Sequence, residues 1–356
     1  MTPFRARLAR DWYARRPTKA STSLLPLSWL LGGVVAARRS MYRARLLRST
    51  RMPVPVIVVG NVTVGGAGKT PLVAALVTAL MKRGRQPGIV SRGYGRATRD
   101  TREVREGDDP REVGDEPLLL AQRGAPVFVG RDRVDAAHAL LAAHPSVDVI
   151  VSDDGLQHYA LARDVEIAVV DAVRGFGNAR LLPAGPLREP LSRLRGVDAI
   201  VFRTNGNEPA ICLGHAHEFI ARYEPQSWIN LSDSTRAFDE TWLTDPRSVA
   251  IAGIANPDAF FSWLRAHGFA GTAHAFSDHH AYSRTDVAFD AAPAILMTEK
   301  DAVKCRAFAD PRMWMQPIRA QVEISLVDFV LERIDGPEAS RNAGLPGDEG
   351  SADLRP

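Results

Sequence analysis

The 356-residue sequence predicts an α/β fold with a larger core, a second smaller α/β domain and an N-terminal amphipathic helix. Two observations predict it. Short apolar, β-branched runs at 56–59, 147–151, 165–170, 198–202, 249–252 and 294–297 are separated by helical or loop segments, the alternation of strands and helices wound into a sheet. One strand-to-helix junction, after Val56-Ile57-Val58-Val59, is rich in glycine (Gly60, Gly65, Gly66, Gly68).

That junction organises the rest. Lys69 and Thr70 follow Gly68 and open a helix with apolar residues at 72, 75, 76, 79 and 80. Strand, glycine loop, Lys-Thr and helix together are a P-loop, so Val64, Gly65, Gly66, Ala67, Gly68, Lys69 and Thr70 are the expected nucleotide cradle. Backbone N–H groups turn inward onto phosphate oxygens and the helix N-terminus adds positive charge. Lys69 is expected on the β/γ-phosphates and Thr70 on Mg²⁺, with ATP as the nucleotide. Pro71 suits the first turn, where its missing N–H costs nothing. Thr63 stands where the commonest pattern has its first glycine, so the loop is of the variant GGxGKT kind.

Upstream, residues 1–51 hold 12 Lys/Arg against the single acid Asp11, whereas the remaining chain is net acidic. Within this basic arm residues 24–37 read LLPLSWLLGGVVAA. Fourteen residues are too few to span a bilayer, for which ~20 are needed, and no small-residue cleavage site precedes Arg38-Arg39. An interfacial helix on an anionic membrane fits, with packing on the protein's own core as the alternative. The apolar run argues against a nucleic-acid arm. Cys212 and Cys305 form neither a metal spacing nor a disulfide framework, consistent with a reducing compartment. The expected organisation is an arm at 1–48, a core at 49–217, an extended connector at 218–232, a second α/β domain at 233–334 and a disordered tail at 335–356.

After the P-loop, Ile89-Val90 ends a strand at Ser91-Arg92-Gly93-Tyr94-Gly95-Arg96, where Arg92 and Arg96 are placed to meet phosphate. Gly114-Asp115-Glu116-Pro117 opens a helix. Asp115 reads as an N-cap, but the paired carboxylates also suit a base beside a metal ligand. Val147 to Val151 closes on Asp153-Asp154-Gly155-Leu156-Gln157-His158, a Walker B pattern with either aspartate on Mg²⁺. In residues 181–190, Arg188 is a candidate for stabilising transferring phosphate, or a salt-bridge partner of Glu189. In the second unit, Asp278-His279-His280 sets imidazole beside carboxylate, and Thr298-Glu299-Lys300-Asp301 follows a strand where nucleotide proteins often hold base or ribose.

Taken in order, GGAGKT, SRGYG, GDEP, DDGLQH, LPAGPLRE, DHH and TEKD resemble the tetraacyldisaccharide 4′-kinases, the lipid A 4′-kinases of Gram-negative bacteria, over about residues 10–330. The resemblance implies ATP-dependent phosphorylation of the 4′-hydroxyl of a tetraacyl glucosamine disaccharide 1-phosphate at the cytosolic face of the inner membrane. It implies two α/β/α domains joined by two strands, with the site between them. By motif, Asp115 resembles the catalytic base and His279 its partner; Glu116 and Asp153 act with Thr70 on Mg²⁺; Arg133, Asp154, His158, Arg188 and Glu189 line the site. Leu156 stands where the family usually has Phe. A membrane-tethered P-loop switch ATPase is the competing class; Val64, where such switches often carry lysine, and the Asp115/His279 pair argue against it.

Overall fold

The computed structural model describes residues 8, 11–14, 18–206 and 212–336. In chain order its main elements are α1 (Lys19–Ser23), α2 (Leu25–Arg43), β1 (Val56–Gly60), α3 (Lys69–Lys82), β2 (Pro87–Ser91), β3 (Arg102–Val104), α4 (Asp115–Ala121), β4 (Val127–Val129), α5 (Arg133–Ala143), β5 (Val149–Asp153), β6 (Val165–Asp171), β7 (Ala199–Thr204) and β8 (Glu218–Pro225). There follow β9 (Ile229–Asn230), β10 (Val249–Ala252), α6 (Pro257–Ala266), β11 (Thr272–Ala275), β12 (Ile295–Thr298), α7 (Glu299–Cys305), β13 (Met313–Gln316), β14 (Ile318–Val322) and α8 (Ile324–Asp335).

These strands form two sheets. The larger has the order β14-β8-β7-β6-β1-β5-β2-β4-β3 and the smaller β11-β10-β12-β13-β9. Within the larger, the run from β8 to β4 is parallel, and β14 and β3 close the edges antiparallel. β1, β2 and β5 are buried at every position, as expected of strands covered on both faces. One apolar layer joins Leu72, Leu76 and Leu80 of α3 to Leu326, Val330 and Ile334 of α8. The opposite layer gathers Ala136 and Leu140 of α5 with Leu156, Leu161 and Leu194. Each wholly buried leucine of α3 contributes about 2 kcal/mol by leaving water. The smaller sheet is likewise packed on both faces, around Ile251 and Met297 on one side and Leu264 and Trp314 on the other.

Two of the expected boundaries change. The segment 218–232 is not a free connector: β8 is an interior strand of the larger sheet, pairing with β7 on one side and β14 on the other. Phe219, Ala221 and Tyr223 alternate inward on it. Nor does the smaller domain run to 334, because β14 and α8 return to the larger sheet and its α3 layer. The chain thus crosses to the smaller sheet after β8 and back before β14, and Gln316 donates to the Gln226 carbonyl (2.7 Å) where the two crossings meet. The expected tail lies outside the described residues beyond Gly336.

α2 rests on the core by its small face. Ser28 is buried; its Oγ donates to the Leu181 carbonyl (2.8 Å) and accepts from the Ala184 N–H (3.0 Å). Tyr42 further along packs its ring against Tyr159 at 5.6 Å. Its bulky apolar side chains point the other way: Leu27, Trp29, Leu30, Val34 and Met41 are all exposed. No helix among the described residues is long and apolar enough to cross a membrane.

Candidate active site

The C-terminal ends of β1 and β5 bring the first cluster together. Gly68 is left-handed (φ 79°), and a Cβ there would lie 2.8 Å from both Arg203 and Tyr223. Only glycine fits, and the Tyr223 hydroxyl donates to its carbonyl. Lys69, at the start of α3, is buried; its ammonium lies 3.1 Å from Asn61 Oδ1 and 3.4 Å from Asp154 Oδ1. Thr63 is bridged to Leu187, and the Arg188 N–H donates to the Val62 carbonyl (2.7 Å). The 181–190 loop is therefore laid along the P-loop, which aims the Arg188 guanidinium at both oxygens of Asp154 (3.0 and 2.9 Å).

The Arg188–Glu189 salt bridge considered from sequence is not formed. Glu189 is buried behind the site, accepting from Tyr159 Oη and Gln157 Nε2, so it anchors the loop and does not line the cleft. Gln157 in turn accepts from Arg188 (3.4 Å). Behind it, Arg193 pairs with the buried Glu166 at 2.5 Å.

The two Walker B aspartates have opposite surroundings. Asp154 sits in the left-handed region (φ 49°) and is held far below the usual carboxylate range: burial opposes this, but Lys69 and Arg188 prevail. Asp153 is buried with neither carboxylate oxygen hydrogen-bonded. Burial first, then the charges of Glu116 and Asp154, push it up to about 7. Arg133, from the first turn of α5, donates to the Asp153 and Asp154 carbonyls (3.1 and 3.4 Å), and burial lowers it to about 10. It therefore remains a cation at neutral pH. Burial, with Arg133 and exposed Arg92 adding like charge, lowers His158 to about 4, so its imidazole is neutral.

The second cluster comes from both domains. Gly114 (φ 95°), whose would-be Cβ lies 3.0 Å from the Gly93 Cα, packs the α4 N-terminus against the 91–96 loop. Gly114, not Asp115, is the N-cap of α4, and Asp115 is the first helical residue. Asp115 Oδ1 accepts from the Glu116 N–H (3.0 Å), and His279 Nδ1 approaches Oδ1 and Oδ2 at 3.1 and 3.0 Å. His279 is left-handed (φ 57°) and carries the Tyr94 ring at 5.1 Å. Burial raises the Asp115 carboxyl, but the His279 hydrogen bond and Lys300 charge outweigh it and leave the net shift downward. For His279 burial acts downward, and the Asp115 hydrogen bond reverses it, leaving a net upward shift. Lys300 reaches Glu116 (2.9 Å), Asp278 (3.7 Å) and Asp115 (3.9 Å), while Arg123 meets Glu299 (3.0 Å).

In the 298–301 segment, which the sequence offers for the base or ribose, Asp301 is turned into the protein interior. Asp301 is fully buried, accepting from the Gly253 N–H (3.1 Å), Tyr282 Oη (3.2 Å) and Thr298 Oγ1 (2.6 Å). Sequence reasoning missed Asn61, Tyr94 and the role of Lys300. Asn61 had a positional signal, directly after β1, whereas Lys300 is legible only once the two domains are seen together. A cavity of about 470 Å³ lined by Ala75, Ile318 and Val327 shares only Arg123 with these clusters.

A family model, tetraacyldisaccharide-1-P 4′-kinase, matches residues 20–335. The chain belongs to the tetraacyldisaccharide 4′-kinase family. A tetraacyldisaccharide 4′-kinase of Methylobacillus flagellatus is 47% identical over 92% of this chain and 95% of its own length, and one of Dechloromonas aromatica is 46% identical over 94% and 98%. The solved structure of LpxK from Aquifex aeolicus in complex with ATP aligns with TM-score 0.76 and 29% identity, over 88% of this chain and 99% of that one. The protein is thus a kinase of lipid A biosynthesis on a P-loop α/β fold.

The unpaired Asp153 carboxylate makes a stability prediction. Its carboxyl is raised, so its ionisation works against the fold, and stability is lost as pH rises from the unfolded value near ~4 towards about 7. In buffer free of metal and nucleotide, Asp153→Asn should melt above the wild type at pH 8, by an amount on the order of 1 kcal/mol, with the gap shrinking by pH 5. Equal or lower stability of the variant at pH 8 would contradict the assignment.

Proposed function

We propose that this kinase transfers the γ-phosphate of ATP to the 4′-hydroxyl of a tetraacyl glucosamine disaccharide 1-phosphate at the cytosolic face of the inner membrane. The observation that carries the reading is the contact of Asp115 with His279 across the domains, beside a Glu116 whose charge reaches Asp153 next to the P-loop. A nucleotide switch has no use for a base at that place; a phosphotransferase with a hydroxyl acceptor does.

The roles follow from the geometry. The P-loop amides and Lys69 take the β/γ-phosphates, which draws Lys69 off Asn61 and Asp154. Arg188, on a loop bridged to the P-loop, stands beside the same carboxylate and is placed to meet charge developing on the transferred group. Asp115, anionic at neutral pH by its net downward shift, receives the hydroxyl proton, and His279 holds the carboxylate in place.

The donor set fits Mg²⁺. Asp153 presents two unpaired oxygens, and the raised carboxyl beside Glu116 and Asp154 marks a concentration of negative charge short of a cation. No preformed cage of three or more side chains exists among the described residues, as suits an ion that keeps its waters and binds through one or two carboxylates and the substrate phosphates. Asp153, Glu116 and Thr70 would hold it, and when bound it supplies charge neutralisation between the phosphates.

The outward face of α2 supports the membrane side of the reading. A helix that buries Ser28 and exposes Trp29 and Leu30 inverts the pattern of a soluble surface helix, and arginines flank it.

Purified protein with labelled ATP and a lipid A disaccharide 1-phosphate should move label into the lipid. Lys69→Ala should lower turnover by about 100-fold or more while remaining folded. Near-normal turnover in that variant would remove the P-loop from the mechanism. For the arm, Trp29→Glu with Leu30→Glu should weaken binding to anionic vesicles at least tenfold, since each side chain forfeits about 1.5–3 kcal/mol of apolar transfer. Unchanged vesicle affinity would show that α2 is not the anchor.

A further inference from the structure

The 298–301 segment contributes three consecutive side chains to three different tasks. Glu299 reaches across to Arg123 of the core. Asp301 points into the smaller domain and ties Gly253 to Tyr282, at the end of the loop that carries His279. Lys300, between them, points into the cleft, where its ammonium meets Glu116 (2.9 Å) and approaches His279 Nε2 at 3.4 Å.

The His279 contact constrains the imidazole. An ammonium has three donors and no acceptor. The nitrogen facing it, Nε2, therefore offers a lone pair, and in the neutral ring the hydrogen belongs to Nδ1. Nδ1 is the atom 3.0 Å from Asp115 Oδ2 and 3.1 Å from Oδ1. The two hydrogen bonds of the ring thus select the same tautomer, Nδ1–H donating to Asp115 and Nε2 accepting from Lys300, with Asp278 Oδ1 farther from Nε2 at 3.8 Å. An imidazole so arranged has no free lone pair towards Asp115 with which to take a proton from it.

We propose that Lys300 is a positioning residue that fixes His279 in the Nδ1–H tautomer, so that His279 orients Asp115 and does not accept its proton. This rests on Asp115 as the base of the kinase reaction. The hydroxyl oxygen then forms a bond to the γ-phosphorus, and the bond from that phosphorus to the β–γ bridging oxygen breaks with its electron pair leaving on ADP. The hydroxyl proton moves to Asp115 and is released from it to solvent after the product leaves. Oδ1 faces both the Glu116 N–H and His279 Nδ1, whereas Oδ2 faces only His279 at hydrogen-bond distance, so Oδ2 keeps a lone pair to receive it. His279, Glu299 and Lys300 all come from the smaller domain, and their contacts with Asp115, Arg123 and Glu116 all cross to the core.

The test compares His279→Asn with His279→Ala in the full chain, using labelled ATP and the disaccharide 1-phosphate. An asparagine amide donates a hydrogen bond but cannot take up a proton, and asparagine tolerates the left-handed backbone that residue 279 adopts. The expected result is a kcat for His279→Asn at least tenfold above that of His279→Ala, with the KM for ATP little changed in either. Equal kcat in the two variants would show that His279 works as a proton acceptor and overturn the proposal. Nitrogen NMR of ¹⁵N-histidine protein, with the His279 signals assigned by their loss in His279→Asn, reads the tautomer directly. The wild type should show protonated Nδ1 and bare Nε2; Lys300→Arg should keep this, and Lys300→Met, which leaves Nε2 facing Asp278 Oδ1 (3.8 Å), should gain a proton on Nε2. A wild-type Nε2–H tautomer, or one indifferent to Lys300→Met, would overturn the role of Lys300. Absence of any transfer to lipid by the wild type would instead sink the kinase reading, and the NMR result would still decide the Lys300 contact.

Discussion

Four carboxylates, Asp115, Glu116, Asp153 and Asp154, share one cleft between two domains, and the surrounding structure is arranged to hold that charge. Like charges at such range repel strongly once water is withdrawn. Each is therefore met differently. Asp154 is neutralised by Lys69 and Arg188 from the P-loop side, and Asp115 and Glu116 by His279 and Lys300 from the smaller domain. Asp153 alone of the four is left without a hydrogen-bonded partner for either oxygen, which is why the proposed Mg²⁺ is assigned there. In the proposed mechanism the cleft is therefore polar, with phosphates and metal on the side of β1 and β5 and the proton acceptor on the side of α4.

The 181–190 loop links this cleft to the arm. Its first part accepts from and donates to Ser28 of α2, its middle is bridged to residues 62–64 of the P-loop, and Arg188 at its far end reaches Asp154. Buried Glu189 pins the loop to Tyr159, whose ring also packs on Tyr42 at the end of α2. Surface-facing Trp29 and Leu30 thus stand only a few packed residues from a side chain placed to act on the transferred phosphate. If α2 lies on a membrane as proposed, that continuity would align the site with the headgroup level at which a lipid acceptor is presented.

Much of the fold was legible because its signals are local. The P-loop, the strand ending at Asp153 and the β10-to-α6 unit are each written within about a dozen residues, by β-branched runs, glycines and helical periodicity. What was lost is long-range. β8 shows strand alternation at Phe219, Ala221 and Tyr223, but nothing near it tells that Arg222 will lie opposite Gln321. The return of α8 to the core is hidden for the same reason: its apolar face fits either domain until both are assembled. At the site, residue types at loop ends made Asp115 and His279 candidates, and the family resemblance paired them as base and partner. The burial of Glu189 and Asp301 behind their loops could not be foreseen, since a carboxylate beside a motif reads alike whether it faces ligand or protein.

The central claim is that Asp115 and His279 act as one unit across the cleft. Its most direct test is the turnover of Asp115→Ala, His279→Ala and the double variant, measured under saturating ATP and lipid. Groups that function as a unit give strongly non-additive losses. The double variant should therefore be little slower than the slower single one. Losses that multiply in full, or near-normal turnover in Asp115→Ala, would show that the contact between the domains is not the catalytic unit described.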